Sequence, residues 1–263
     1  MVAPEPALGP DARRPGTGLP GPRFAARPSD LDIDFADPDR AALACRTVAA
    51  VRGLEPAEVA GWTLDRRLRA LADIARATFG NSLAWQARCP ACREPMELEL
   101  GLEPLLATTC EAGAVECAPR PDTRLSLRLP TGLDQQSWRN LAVPREELPL
   151  AMARSLVQGL DGGIPDPDWR MPEEWLDAVE AELAARDPLG MLEAGAQCPS
   201  CGTGSAMELD LEAVILDLLA REQRRVMEEV HRLARTYHWS EAEVLAIPPR
   251  RRAFYLRRSE SEW

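Results

Sequence analysis

The chain has 263 residues and a formal net charge of −11, with 45% hydrophobic and 5% aromatic residues. That is enough apolar material for one large domain or two small ones. The negative sign argues against a protein that coats nucleic acid or an anionic membrane, since both need a basic footprint. All 31 cationic residues are arginine, which carries no functional reading.

Residues 1–30 contain seven prolines, from Pro4 to Pro28, and four glycines, from Gly9 to Gly21, with no continuous apolar stretch. They read as a disordered leader and not as a secretory signal. Leu31, Ile33 and Phe35 alternate as a short strand ending at Pro38. Helices follow over Ala41–Val51, Pro56–Ala60 and Thr63–Thr78, the last with Leu64, Leu68, Leu71 and Ile74 on one face and Gly80 as its stop. No apolar run is long enough to span a membrane.

A two-part feature then occurs twice. Cys89-Pro90-Ala91-Cys92 is followed by Met96-Glu97-Leu98-Glu99-Leu100, and Cys198-Pro199-Ser200-Cys201 by Met207-Glu208-Leu209-Asp210-Leu211. Each copy follows a helical pattern and leads into period-two alternation, the mark of a half-buried strand. The last Cys and the Met are four residues apart in one copy and six in the other, a difference assigned to the turn. Between the pairs, a region over 105–188 carries a strand at Leu125–Leu129 and helices over Arg145–Leu160 and Pro172–Ala185. A long amphipathic helix over Leu211–Arg235 comes after the second pair. The fold class expected is α+β, mainly helical: two knuckle-plus-strand units forming a zinc-ribbon-like centre, a long C-terminal helix and a short helical tail. The expected divisions are a leader over 1–30, a zinc-stapled body over 31–236 and a tail over 237–263.

Cys89, Cys92, Cys198 and Cys201 supply the four thiolates of a tetrahedral structural Zn²⁺. A redox dithiol sits at a helix N-terminus after a strand, whereas these pairs run into extended segments. Cys45, Cys110 and Cys117 read as ordinary thiols, and an odd cysteine count fits a reducing, cytoplasmic setting. His231 and His238 read as surface or packing residues. There is no phosphate-cradling glycine loop, nucleophile elbow or His-Glu-x-x-His pair, so the expectation is a non-enzyme with no small-molecule substrate.

In the tail, Ser240 and Glu243 form a capping box, and Pro248-Pro249 ends the short helix they start. Residues 248–263 hold five arginines against Glu260 and Glu262, a charge of +3, which leaves −14 on the rest. Basic and aromatic residues together make Trp239, Arg250, Arg251, Arg252, Phe254 and Tyr255 candidate partner contacts; the plainer alternative is a tail packed on the long helix with its arginines in water.

The runs CPACREPMELEL, CPSCGTGSAMELDLEAVI and HRLARTYHWSEAEVLAIPPRRRAFYL resemble the T4-type hub assembly chaperone family of contractile phage tails, whose relatives include proteins of phage-tail-like injection systems. The resemblance covers about residues 55–258 and is sharpest at the C-terminal run. It implies a non-enzymatic role with hub or other tail proteins as partners, as a transient chaperone or a minor component of the particle. A zinc-ribbon nucleic-acid or transcription accessory protein is the second reading and a redox or metal enzyme the third. The strand sequences Glu-Leu-Glu and Glu-Leu-Asp beside the knuckles speak against a nucleic-acid-binding ribbon.

Overall fold

The computed structural model describes residues 22–107, 113–166, 168–187, 189 and 192–260. The chain is α+β: helices α1 (Arg40–Arg52), α2 (Pro56–Ala60) and α3 (Leu64–Phe79) precede a hairpin of β1 (Ser82–Arg88) and β2 (Pro95–Gly101), which leads into α4 (Leu102–Ala107). A central unit follows, with β3 (Val115–Arg120), β4 (Thr123–Leu127), α5 (Gly132–Trp138), α6 (Leu148–Ser155), β5 (Val157–Leu160) and α7 (Leu176–Arg186). A second hairpin, β6 (Leu192–Gln197) and β7 (Gly204–Leu209), opens into α8 (Leu211–Tyr237), then α9 (Glu241–Ala246) and α10 (Pro249–Glu260). Among the described residues no helix is long and apolar enough to cross a membrane.

The main core lies between α1, α3 and α8. Each helix begins with a side chain that satisfies an otherwise unpaired N–H. The Asp39 carboxylate accepts from the Ala42 N–H, Thr63 from Arg66 and Asp210 from Ala213. The α3 stripe of Leu68, Leu71 and Ile74 meets Ile215, Leu219 and Val226 of α8, all buried. At about 1.5 Å per residue α8 is about 40 Å long, and it stops where His238 turns into the left-handed region at φ 57° and its N–H bonds the Ala234 carbonyl.

No strand forms over Leu31–Phe35. Pro28–Asp32 is a 3₁₀ turn, and no neighbouring strand takes the carbonyls of Leu31 and Ile33. Instead the Gln223 amide of α8 donates to both, at 3.0 and 2.8 Å. Ordered packing also begins before Leu31: Phe24 is fully buried and meets Phe35 edge-on at 5.9 Å. Asp30 is buried too, accepting from the N–H groups of Ala26 and Arg27. The leader assigned to residues 1–30 therefore gives up at least residues 24–30 to the body, and residues 1–21 lie outside the described residues.

The central unit has its own core. Val115, Cys117, Leu125 and Leu127 of the antiparallel sheet β3-β4-β5 pack on Trp175 and Val179 of the α7 region. The helix expected over Arg145–Leu160 breaks at Ser155, because Val157–Leu160 pairs with β4, Leu125 opposite Leu160 and Leu127 opposite Val157. The periodicity of Leu148, Met152 and Leu156 does not register that competition, since the partner strand is distant in sequence. Thr131 and Asp134 cap α5 reciprocally, and Arg128 forks onto both Asp134 oxygens at 2.6 Å. Gly132 starts α5 where a Cβ would lie 2.9 Å from Arg67 Nη1 and 3.0 Å from the Ala60 carbonyl oxygen. Only glycine fits that approach without displacing something.

Candidate metal centre

Both cysteine pairs sit at hairpin turns with one hydrogen-bond pattern. In the first, the Cys89 N–H donates to the Glu94 carbonyl at 3.0 Å and the Arg93 N–H to the Cys89 carbonyl at 2.9 Å. In the second, Cys198 donates to Thr203 at 3.0 Å and Gly202 to Cys198 at 2.9 Å. The residue after the second Cys is left-handed in both, Arg93 at φ 66° and Gly202 at φ 74°. Glycine adopts that conformation freely and arginine does so at a cost, so the first knuckle carries strain that the second avoids.

Matching turns relocate the methionine offset. Met96 pairs with Ala87, two residues before Cys89, whereas Met207 pairs with Ala194, four before Cys198. The turns do not differ; Met207 lies two positions further along its strand. A shift of two keeps a side chain on the same face, so Met96 and Met207 both join Leu98 and Ala196 around the cysteines.

Each hairpin also has a first strand, β1 or β6, beyond the strand that the sequence alternation predicts after its cysteine pair. The alternation of Leu83, Trp85 and Ala87 in β1 was a usable signal; Gly195 weakens it in β6.

The two turns bring all four sulfurs within 4.8 Å of one another. Cys89 Sγ lies 3.8 Å from Cys201 Sγ, and Cys92 Sγ 3.7 Å from Cys198 Sγ. The first cysteine of each turn thus approaches the second of the other. A tetrahedral ion with ligands at about 2.3 Å requires sulfur separations of about 3.8 Å, whereas a disulfide needs about 2.05 Å. The donor set fits one metal ion held by four thiolates. It is the one group of metal-ligating side chains among the described residues, and none of its four positions is left for water or substrate.

The surroundings polarise the sulfurs unequally. The Thr203 hydroxyl and N–H, with help from Cys92, bring the Cys201 thiol down to about 6. At Cys92 the Glu94 N–H favours the thiolate, but burial and the three neighbouring sulfurs outweigh it and push the thiol up to about 12. The N–H groups of Cys201 and Ser200 lower Cys198. A metal ion would supply the positive charge that lets all four ionise together.

Cys45 and Cys117 lie apart from this centre, each buried in a core, with the thiol raised chiefly by that burial. Cys110 falls outside the described residues. His231 and His238 are exposed.

The tail residues divide. Trp239 stacks on Tyr237 at 4.7 Å and meets Tyr255 edge-on at 5.2 Å, and the Tyr237 hydroxyl donates to the Tyr255 carbonyl. Arg252 is 2% exposed, its Nε 3.4 Å from Glu229 of α8. Trp239, Tyr255 and Arg252 hold the tail on α8, and Arg252 lies in the core where the plainer alternative puts the arginines in water. Arg250, Arg251 and Phe254 are exposed on α10, Phe254 at 54%.

No family model, curated protein or solved structure matches the chain.

Proposed function

We propose that this chain is a non-enzymatic assembly factor or minor structural component of the baseplate hub of a contractile phage tail or phage-tail-like injection system, stapled by a structural Zn²⁺. The observation that carries the reading is the display of α10. Trp239, Tyr255 and Arg252 fasten the helix to α8, so Arg250, Arg251 and Phe254 form a basic, aromatic face on a rigid support. Arginine and aromatic side chains make effective contact sites, and a helix already packed on α8 need not be ordered anew on binding. The family resemblance at HRLARTYHWSEAEVLAIPPRRRAFYL points to hub or other tail proteins as the partners.

Zinc is favoured as the metal because four thiolates in a closed tetrahedral set suit it and leave no position for catalysis. The six described cysteines are free thiols, which suits assembly in a reducing cytoplasm. Glu97, Glu99, Glu193 and Glu208 are exposed on the knuckle hairpins, and that acidic surface argues against a nucleic-acid-binding ribbon. The test is co-assembly with hub subunits using full-length chain, a chain cut after Ile247 and the triple variant Arg250→Ala/Arg251→Ala/Phe254→Ala. Loss of hub complex in both variants, with metal content intact, is expected; unimpaired assembly by the triple variant overturns the assignment to this face.

A further inference from the structure

A cleft of ≈ 970 Å³ opens where α3, α5, α6, the β6–β7 hairpin and the start of α8 meet. Leu64, Leu68, Trp138, Leu148, Met152 and Leu192 supply apolar wall. Its three arginines are each matched within the chain: Arg40 by Asp210, Arg67 by Glu212 and Arg139 by Asp39. Of the remaining lining carboxylates, Glu193 and Glu208 are directly opposite each other across β6–β7 and exposed, and neither has an ion pair among the described residues. Like charges at opposed positions of an antiparallel pair repel. The β6–β7 register, continuous from Leu192 opposite Leu209 to Gln197 opposite Gly204, keeps the two carboxylates side by side.

We infer that this cleft is a docking groove for an amphipathic helical segment of a partner protein, whose apolar residues enter the Leu/Met/Trp wall and whose arginine or lysine reaches Glu193 and Glu208. Charge complementarity selects this occupant. The cleft's own cations are neutralised, leaving two uncompensated negative charges beside apolar surface, so a cation attached to an apolar segment satisfies both features. A bare divalent ion lacks the ligands, because no carboxylate group here comes together as a metal site among the described residues. The inference rests on the assembly-factor reading but uses a different surface from α10, so tail variants test that reading and carboxylate variants test this one.

The probe is a synthetic helical peptide of about 15 residues with leucines at i, i+3, i+4 and i+7, a central pair of arginines and a photoreactive phenylalanine. Its counterpart has glutamates in place of the arginines. Binding to metal-loaded full-length chain is measured for wild type and for Glu193→Gln/Glu208→Gln, with metal content and thermal midpoint as folding controls. The arginine peptide is expected to bind wild type, to cross-link near Trp138 or Met152, and to weaken about tenfold or more in the variant. Absence of binding, equal binding of both peptides, or binding untouched by the substitutions overturns the inference. Self-association of the chain that disappears in the same variant assigns the groove to a second copy and likewise overturns the foreign-partner inference.

Discussion

Arg67 of α3 and Glu212 in the first turn of α8 are 145 positions apart in sequence and joined by a 2.7 Å ion pair. The guanidinium is 1% exposed and donates as well to Gln135 of α5, with Nη1 3.7 Å from the Cys45 sulfur. One arginine thus ties the helical core, the central unit and the start of α8 together. Burial pushes the Glu212 carboxyl up from its ordinary value even though Arg67 opposes the shift.

Removing one partner of that pair leaves a buried charge, which costs about 3–5 kcal/mol. Glu212→Gln and Arg67→Met should each destabilise by about that much, and Arg67→Met/Glu212→Leu should cost less than the sum. Urea unfolding of the three variants reads the coupling directly; additive losses would show that the two residues act independently.

Gly132→Ala places a Cβ against Arg67 and the Ala60 carbonyl, and a loss of about 1–3 kcal/mol is expected. Gly204→Ala, at a position where a Cβ meets nothing within 4 Å, is the control and should change thermal stability little.

Much of this arrangement was open to sequence reading, and what was not has a physical reason. Periodicity finds α3 and α8 because their buried stripes recur every three or four residues, whereas α1, buried on most sides, shows as a nearly continuous run of small and apolar residues. The pairs Cys89/Cys92 and Cys198/Cys201 stand out as candidate ligands through their similar local context. The strand at Val157–Leu160 is not legible because a strand's partner is remote information, and the expectation of a strand at Leu31–Phe35 fails because a glutamine amide replaces a neighbouring strand. Arg252, grouped with Arg250 and Arg251 by composition, is separated from them only by the turn of α10, which sends it into the core. Arg67 carries no sequence signal of its burial, since nothing local distinguishes a buried arginine from an exposed one.

That division in the tail makes a stability prediction. Arg252→Ala should lower the thermal midpoint by loosening α10 from α8 and leaving Glu229 without this partner, whereas Arg250→Ala and Arg251→Ala should leave it unchanged. Equal effects from all three would contradict the placement of Arg252.

Metal removal should be the largest perturbation. Structural zinc contributes about 10–16 kcal/mol apparent in small peptides, so a chelator under reducing conditions should release one ion per chain, unprotect four thiols and lower the thermal midpoint sharply. Cys89→Ser or Cys198→Ser should do the same, while Cys45→Ala should leave metal content intact. Metal analysis with thiol titration checks each outcome.

The capping box at α9 sets a pH dependence. The Ser240 N–H and hydroxyl hold the Glu243 carboxyl below its ordinary 4.5. A depressed folded value means that the cap's contribution is fully present above pH 4.5 and lost as pH falls through the folded value. The Ser240 amide should therefore titrate below 4.5, and Glu243→Gln should remove the transition; NMR chemical shifts report both.

The sulfur-to-sulfur approach of Cys89 to Cys201 and Cys92 to Cys198 also changes what a broken backbone means. The stretch between Cys92 and Cys198 leaves the cysteine cluster and returns to it, so a metal ion held there would close it into a ring. A protease cut inside that ring divides the polypeptide into two fragments without dividing the molecule. The nicked chain should migrate as one particle in solution, held by a bound metal and by the packing of α3 on α8, and should part only when the metal is withdrawn and that core is also unfolded, which would make the ion a second link between the two halves of the chain.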